Sequence, residues 1–350
     1  MSAPDYPSVL HLSDPAYTAT LLSRAAAETG RRWQVLPLAI APPGDGAAAI
    51  AARAARGLRW ECELAVARAQ AQRVHVHSVL ARRHAGWAFG RRFALHLHGT
   101  DIRTNQYLDQ HRRLVHDTVR RAQTVFYSTP DLREHVSPLR EDARLVPVPV
   151  SLTERTAEGR ATARPAALRE LIGDREFVFF SSRWQEVKGG ERQIEIARAL
   201  TRSLSGPSDP VVLGLDWGPL AGEAEAAGVR LIGRMPHDEF LATVGAARLC
   251  VGQLSGVLGA SELDALAADV PMVAPLNPQW YDGSHPSLVV PPVVGGVDLG
   301  MSGSADDLVD LVREELSSPE LRPTRPWVQE HHSGQAALAE VLSGYRDSGW

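Results

Sequence analysis

A strand that runs into Arg183, Lys188 and the pair Gly189–Gly190 (FVFFSSRWQEVKGG) has the clearest chemical capacity in this sequence. Where a strand gives way to a helix, backbone N–H groups are free and the positive end of the helix dipole is near. A fork-shaped guanidinium and an ammonium at that junction suit it to a diphosphate. A solvated basic turn is the plainer reading, because Lys and Arg are usually exposed. The second concentration of chemistry is FALHLHGTDIR, which sets His96, His98, Gly99, Thr100, Asp101 and Arg103 at the end of another strand. Side chains alternate along a strand, so His96 and His98 share a face, with His98 at the carboxyl edge where open α/β sheets bind ligands. Two histidines and a carboxylate at a strand terminus are candidates for catalysis. Metal ligation by His96, His98 and Asp101 is the competing reading. Spacing pins no further ligand, so no metal is expected.

These residues need a scaffold, and the hydrophobic pattern supplies one. Short apolar runs at 9–12, 33–38, 74–76, 93–98, 124–127 and 144–147 alternate with helical segments such as 18–28, 48–70 and 108–121. Continuous apolar runs joined by helices are the mark of buried parallel strands, hence of a doubly wound sheet. A second series follows, with strands at 177–181, 211–215, 230–232, 249–251 and 272–274 and helices at 191–204, 218–227, 238–246 and 262–268. The polar stretch SLTERTAEGRATARPA between them reads as a linker. The expected organisation is a first α/β domain over 1–151, a linker over 152–168 and a second α/β domain over 169–326. A closing helix within 327–350 returns to the first domain.

The order of motifs in the second half resembles the family 4 glycosyltransferases of the GT-B fold. In that family a strand followed by GR-x-x-x-x-KG grips the donor diphosphate, and Ser182–Arg183 with Lys188–Gly189 stands in for it. VVLGLDWGPL is similar to the strand and Gly-Pro turn that come next. VRLIGRMPHDEFLATVGAARLCV is similar to the segment whose turn, here Ile232, Gly233 and Arg234, packs along the nucleobase. LSGVLGASELDALAADVPMVA resembles the most specific stretch of the family. Four landmarks in order carry more weight than any one of them. In the first half His98 matches an HG-x-D element, which implies a catalytic position near the reacting sugar carbon, with Asp101 as its acidic member.

The resemblance implies two Rossmann-like domains facing across a cleft. It implies transfer of a sugar from a nucleotide diphosphate-sugar to a small acceptor, with retention of configuration and no cofactor beyond that co-substrate. Arg183, Lys188 and Gly189 would hold the diphosphate, Asp264 the ribose, and Leu258, Gly259 and Glu262 the donor sugar. Two departures stand out. The first of the family's two glutamates falls on Gly256, with Glu262 as the candidate replacement, and the second is the shorter Asp264. The loop after the first strand, Ser13–Asp14–Pro15–Ala16–Tyr17, lacks the usual glycine and is expected to narrow the acceptor side. These departures motivate two alternatives: a degenerate protein that binds a nucleotide sugar or a partner without turnover, and another enzyme of the same fold such as an epimerase.

Composition sets outer bounds. With 41 acidic and 37 basic side chains and a formal charge of −4, the chain lacks the basic excess of a nucleic-acid binder. Its two cysteines form no metal or disulfide pattern, which fits a reducing compartment. No apolar run approaches the roughly 20 residues that cross a bilayer, so a cytoplasmic protein is expected. The basic-aromatic segment RRHAGWAFGRRF is compatible with contact to an anionic membrane surface, but amphipathic surface helices commonly look this way.

Overall fold

The computed structural model describes residues 7–38, 46–152, 164–317 and 323–350. The chain divides into two compact units, one formed by Met1–Pro149 with Gly334–Trp350 and the other by Val150–Ser333. Most of the segment expected to link the domains lies outside the described residues, and its end is helical from Ala166 to Ile172.

The first unit is built on six parallel strands: β1 (Val9–Leu12), β2 (Trp33–Leu36), β3 (Arg73–Val76), β4 (Ala94–Leu97), β5 (Thr124–Tyr127) and β6 (Arg144–Leu145), in the order 2-1-3-4-5-6. Helices α1 (Thr18–Glu28), α2 (Ala47–Gln70) and α3 (Asp109–Arg121) are the main crossovers. The second unit has β7 (Phe177–Phe180), β8 (Val211–Leu215), β9 (Arg230–Ile232), β10 (Leu249–Val251), β11 (Met272–Pro275) and β12 (Val294–Gly295). All its pairs are parallel too, and its order is 9-8-7-10-11-12. FVFF and VVLGL are buried along their whole length, as strands covered by helices on both faces must be. Helices α4 (Gly190–Ser203), α5 (His237–Ala246), α6 (Ala260–Ala267) and α7 (Ala305–Ser317) surround this sheet.

Strand order reverses between β1 and β3 in one sheet and between β7 and β10 in the other, and such switch points open a crevice at the carboxyl edge. The residues following β1 and β3 in one sheet and β7 and β10 in the other border these crevices, and those following β4 lie beside the first. The segment expected as one closing helix is two, α8 (Arg325–His331) and α9 (Gly334–Asp347), separated at His332–Ser333. Only α9 belongs to the first unit, where Ala337, Leu338, Val341 and Tyr345 join Leu22, Ala25, Ala26 and Phe126 in one core. Among the described residues no helix is long and apolar enough to cross a membrane. In the basic-aromatic segment Arg82 pairs with Asp117 at 2.6 Å, Phe89 and Phe93 are buried, and Trp87 stays exposed.

The face of the first sheet under α9 carries His11, His75, His77 and His96 almost wholly buried, and His98 beside them half-buried. Burial lowers the pKa of all five; His11 and His98 are brought down from 6.5 to about 3. They are neutral in the folded chain but take up protons in the unfolded chain below about pH 6.5. Stability is therefore whole above that pH and is lost as pH falls from about 6.5 toward 3, each histidine contributing up to about 1.4 kcal/mol per pH unit. Urea melts at pH 7.5 and pH 5.0 should show a clearly lower midpoint at pH 5.0. Equal midpoints would mean that these rings are protonated inside the fold.

Candidate functional site

The loop after β7 is fixed by its one large side chain, Trp184. The indole is fully buried and its Nε1–H donates to the Leu215 carbonyl at 2.9 Å. A Cβ on Gly214 would stand 2.5 Å from the ring, so β8 needs glycine at that point. Trp184 N–H donates to the Trp217 carbonyl at 3.0 Å, and the Trp184 carbonyl accepts from Leu220 N–H at 3.2 Å. The loops after β7 and β8 are thereby locked together, and Arg183 faces Trp217 with its guanidinium carbon 5.0 Å from the ring centre. Arg234, from the turn after β9, lies 4.7 Å from the same ring. Burial, and then the neighbouring charge of Arg234, lower the pKa of Arg183. Two guanidiniums on one half-exposed indole, 39% accessible, make a strongly electropositive patch suited to an anion.

Lys188 belongs to the same edge. Its carbonyl accepts from Leu254 N–H at 2.9 Å, tying the loop after β7 to the loop after β10. Gly189 makes this approach possible: its φ is +124°, and a Cβ there would lie 2.8 Å from that of Leu254. The Lys188 ammonium stands 3.5 Å from where a Cβ on Gly259 would be, at the start of α6. The structure thus brings together Arg183, Lys188, Gly189, Arg234 and the positive end of α6. Ile232 is buried, so its side chain cannot line a base, whereas Gly233 is exposed with open space above its Cα.

Three residues expected to touch the donor sugar are otherwise engaged. Glu262 is 0% exposed; one carboxylate oxygen accepts from Gly259 N–H at 2.9 Å and the other from Gln253 N–H at 3.2 Å. It clamps the loop and caps α6, with both carboxylate oxygens engaged by main-chain amides. Gly259 N–H is spent on that clamp. Leu258 is buried and its N–H donates to the Tyr281 hydroxyl at 3.0 Å. Asp264, within the first turns of α6, is buried, and among the described residues no side chain or amide donates to its carboxylate; burial, and then the charge of Glu262, raise its pKa to about 7. An almost unpartnered buried carboxylate costs stability and so points to a ligand.

At the first unit's edge, His98 is held by other side chains: Nε2 lies 3.0 Å from Nδ1 of His77 and Nδ1 lies 2.8 Å from Ser128 Oγ. Asp101 is not beside it as a free acid. Its Oδ2 accepts from Val79 N–H at 2.8 Å and its Oδ1 from Asn105 at 3.4 Å, so it ties the turn after β3 to the turn after β4. In this arrangement its carboxylate holds the two turns together. Arg103 is ion-paired with Asp131. The glycine-free loop after β1 holds Ser13, Ala16 and Tyr17 at φ of 71°, 52° and 58°, a left-handed region that side chains resist. Asp14 steadies it by accepting from Ala19 N–H at 2.8 Å and from the Thr20 hydroxyl at 2.5 Å. Sequence reasoning passed over Trp184, Trp217, His11, His75 and His77. The alternation His75–Val76–His77 in an apolar strand was the available signal for the last two.

No protein-family model and no curated protein matches the sequence. Solved structures do. The chain is similar to HepE from Anabaena, solved with UDP and glucose, at 12% identity and a TM-score of 0.63, covering 98% of this chain and 100% of that one. It is similar to WaaG, a glycosyltransferase of lipopolysaccharide biosynthesis, at 14% identity and a TM-score of 0.53, covering 98% and 100%. It is also similar to the UDP-GlcNAc 2-epimerase of Methanocaldococcus jannaschii, at 14% identity and a TM-score of 0.50, covering 96% and 98%. The two Rossmann-like units are those of the GT-B fold.

Two measurements address the second unit. Arg183→Ala and Arg234→Ala should each weaken nucleoside diphosphate binding by about 1.5–3 kcal/mol, the worth of a charge-assisted hydrogen bond, with melting unchanged. Calorimetry showing wild-type affinity in both variants would remove the anion from this patch. Asp264 ionises near pH 7, and an ionised carboxylate is the stronger acceptor. Nucleoside affinity, measured with uridine and guanosine to avoid phosphate titration, should therefore rise between pH 6 and pH 8. Asp264→Asn should flatten that rise, and a slope that persists in the variant would assign it elsewhere.

Proposed function

We propose that this protein is a glycosyltransferase that takes its sugar from a nucleotide diphosphate-sugar and delivers it to a small acceptor with retention of configuration. The observation that carries the reading is the cationic edge of the second sheet, where Arg183 and Arg234 flank Trp217 and Lys188 stands at the start of α6. In this mechanism the bond from sugar to diphosphate breaks as negative charge grows on the leaving oxygens. Fixed cations and helix N–H groups that meet that charge need no reorganisation, which is the main source of such catalysis. Retention is favoured by the state of one carboxylate. Glu262, beside the cationic edge of the second unit, is committed to two backbone amides, so it is not free to deprotonate an acceptor for attack from the opposite face. The departing diphosphate then takes the acceptor proton.

The donor sugar is constrained at Gly256. With φ at +81°, a Cβ there would lie 2.8 Å from Met301 Sδ, 3.1 Å from Asn277 Cβ and 3.2 Å from the Trp280 ring. The space of a side chain is already filled, largely by apolar atoms. A donor hydroxyl directed at them would lose its partner at a cost of about 1–3 kcal/mol. A deoxyhexose or pentose donor follows from that surface. The fold is shared with a UDP-GlcNAc 2-epimerase, so epimerisation is the second reading.

Incubation with a panel of nucleotide sugars separates these possibilities. Slow release of free nucleoside diphosphate supports transfer. Conversion to an epimeric nucleotide sugar without release supports the second reading, and binding without either product supports a non-catalytic protein. Among donors carrying one base, kcat/KM should be at least ~10-fold higher for the deoxyhexose than for the parent hexose, the ratio that about 1.4 kcal/mol produces. The reverse preference would rule out the Gly256 argument while leaving the transferase reading standing.

A further inference from the structure

Five imidazoles occupy one face of the first sheet, and the sequence resemblance places one of them, His98, near the reacting sugar. Two kinds of contact hold them together. His75 against His77, with centroids 4.5 Å apart and planes at 13°, and His96 against His98, at 4.4 Å and 23°, are stacked faces, as alternate residues of one strand allow. The other contacts run in line. Nδ1 of His11 is 2.8 Å from Nε2 of His77 with ring centroids 5.1 Å apart. Nδ1 of His77 is 3.0 Å from Nε2 of His98 with centroids 5.3 Å apart. In both pairs the centroids are further apart than the nitrogens by about the full two ring radii, the most the geometry allows. Each N···N vector thus lies along the line of ring centres, the arrangement of an N–H···N hydrogen bond. Ser128 follows His98, its Oγ 2.8 Å from Nδ1 of His98, 3.2 Å from the Leu97 carbonyl oxygen and 3.3 Å from Nε2 of His96.

A neutral imidazole has one N–H and one lone pair, so a chain of three has two arrangements, each running head to tail. Running outward, His11 donates to His77, His77 to His98, His98 to Ser128 and Ser128 to the Leu97 carbonyl. This leaves a lone pair on the buried Nε2 of His11, which has no partner. Running inward, the chain leaves an N–H at that atom and gives up the bond from Ser128 to Leu97. A buried N–H without an acceptor is the rarer and costlier defect, so the outward direction is favoured.

We infer that His77 is a positioning residue which, with Ser128, fixes His98 as a single neutral Nδ1–H tautomer in one ring orientation. The inference rests on reading His98 as the group that meets the donor sugar. With both nitrogens engaged, His98 offers a fixed shape and dipole and exchanges no proton with the reactants. The groups that face it and His77 are His11, His75 and His96 on the sheet and Tyr345 of α9, whose hydroxyl is 2.6 Å from His75 Nδ1. Asp101 turns its carboxylate to Val79. A metal ion is the rival for this cluster, because His11, His75 and His77, and also His77, His96 and His98, have ring nitrogens within 4.8 Å of one another. Lone pairs aligned on each other do not converge on a third point about 2.0–2.1 Å from each, as zinc demands.

Nitrogen NMR of the histidine-labelled, full-length protein tests this without any turnover. The wild type should show couplings across the His11–His77 and His77–His98 hydrogen bonds, and His98 shifts of a fixed Nδ1–H tautomer that hold from pH 8 to pH 5.5. In His77→Phe the coupling to His98 should vanish and its shifts should begin to titrate toward the ordinary histidine range. Ser128→Ala, the milder change, should keep the coupling between His77 and His98 while loosening the tautomer, and it serves if the phenylalanine variant does not fold. Averaged His98 shifts in the wild type, or shifts unmoved by both variants, would overturn the inference. So would one equivalent of Zn²⁺ bound with loss of the N–H···N couplings. Because these readouts ignore activity, a failure to transfer sugar would count against the function proposed above and leave the chain standing.

Discussion

The second unit's site depends on the burial of one indole. Trp184 fits only because Gly214 has no side chain, and its backbone carries the bonds that hold Trp217 and Leu220 in place. Truncating a buried tryptophan costs about 3–5 kcal/mol. The lock is therefore strong enough to hold Arg183, the preceding residue, against its own electrostatics. Arg183 and Arg234 repel each other, yet both are gathered on Trp217. Hydrophobic burial one residue away stabilises a concentration of like charge that an exposed loop would relax.

The two units use buried polar groups in different ways. In the second, Glu262 satisfies two amide N–H groups of the loop after β10 and so fixes the start of α6, while Asp264 is left with little compensation. In the first, imidazoles pair with one another and remain uncharged, Ser128 bonding His98 at one end of the chain and His11 Nε2 left without a partner at the other. Carboxylates at both edges serve mainly to hold loops: Asp101 joins the turns after β3 and β4, and Asp14 supports three residues in left-handed backbone. Strain and unpaired groups of this kind cluster where a ligand is received.

Much of this was legible in the sequence, for identifiable reasons. Buried parallel strands leave continuous apolar runs, so FVFF and VVLGL announced themselves, and the alternation with helices fixed the fold class. β12 was not anticipated because Val294–Gly295 is too short to show a period, and α7 because its Asp- and Glu-rich face masks the buried Leu308, Val309 and Val312. The closing helix was read through His332–Ser333 because no glycine or proline marks the break before Gly334. Arg183, Lys188 and Arg234 were visible as types in a motif. The clamp made by Glu262 was not legible because its partners are main-chain amides, which leave no trace in the sequence, and the place of Trp217 was not because only the fold brings two arginines to it.

The charge pattern at the carboxyl edge of the second sheet suits the proposed reaction. Its described residues gather Arg183, Lys188 and Arg234, while in the first unit the imidazole of His98 is neutral and the carboxylate of Asp101 is bound to an N–H donor. A reaction driven by proton removal would need a free base poised near neutral pH, and burial has taken His98 down to about 3. A reaction driven by a leaving anion needs the reverse: fixed positive charge at the departing group, and surroundings elsewhere that neither donate nor accept protons. Asp264, whose pKa burial raises to about 7, lies where the resemblance places the ribose. An edge of that composition favours loss of a diphosphate over general-base attack, and this is why transfer from a nucleotide diphosphate-sugar is the chemistry that suits these residues.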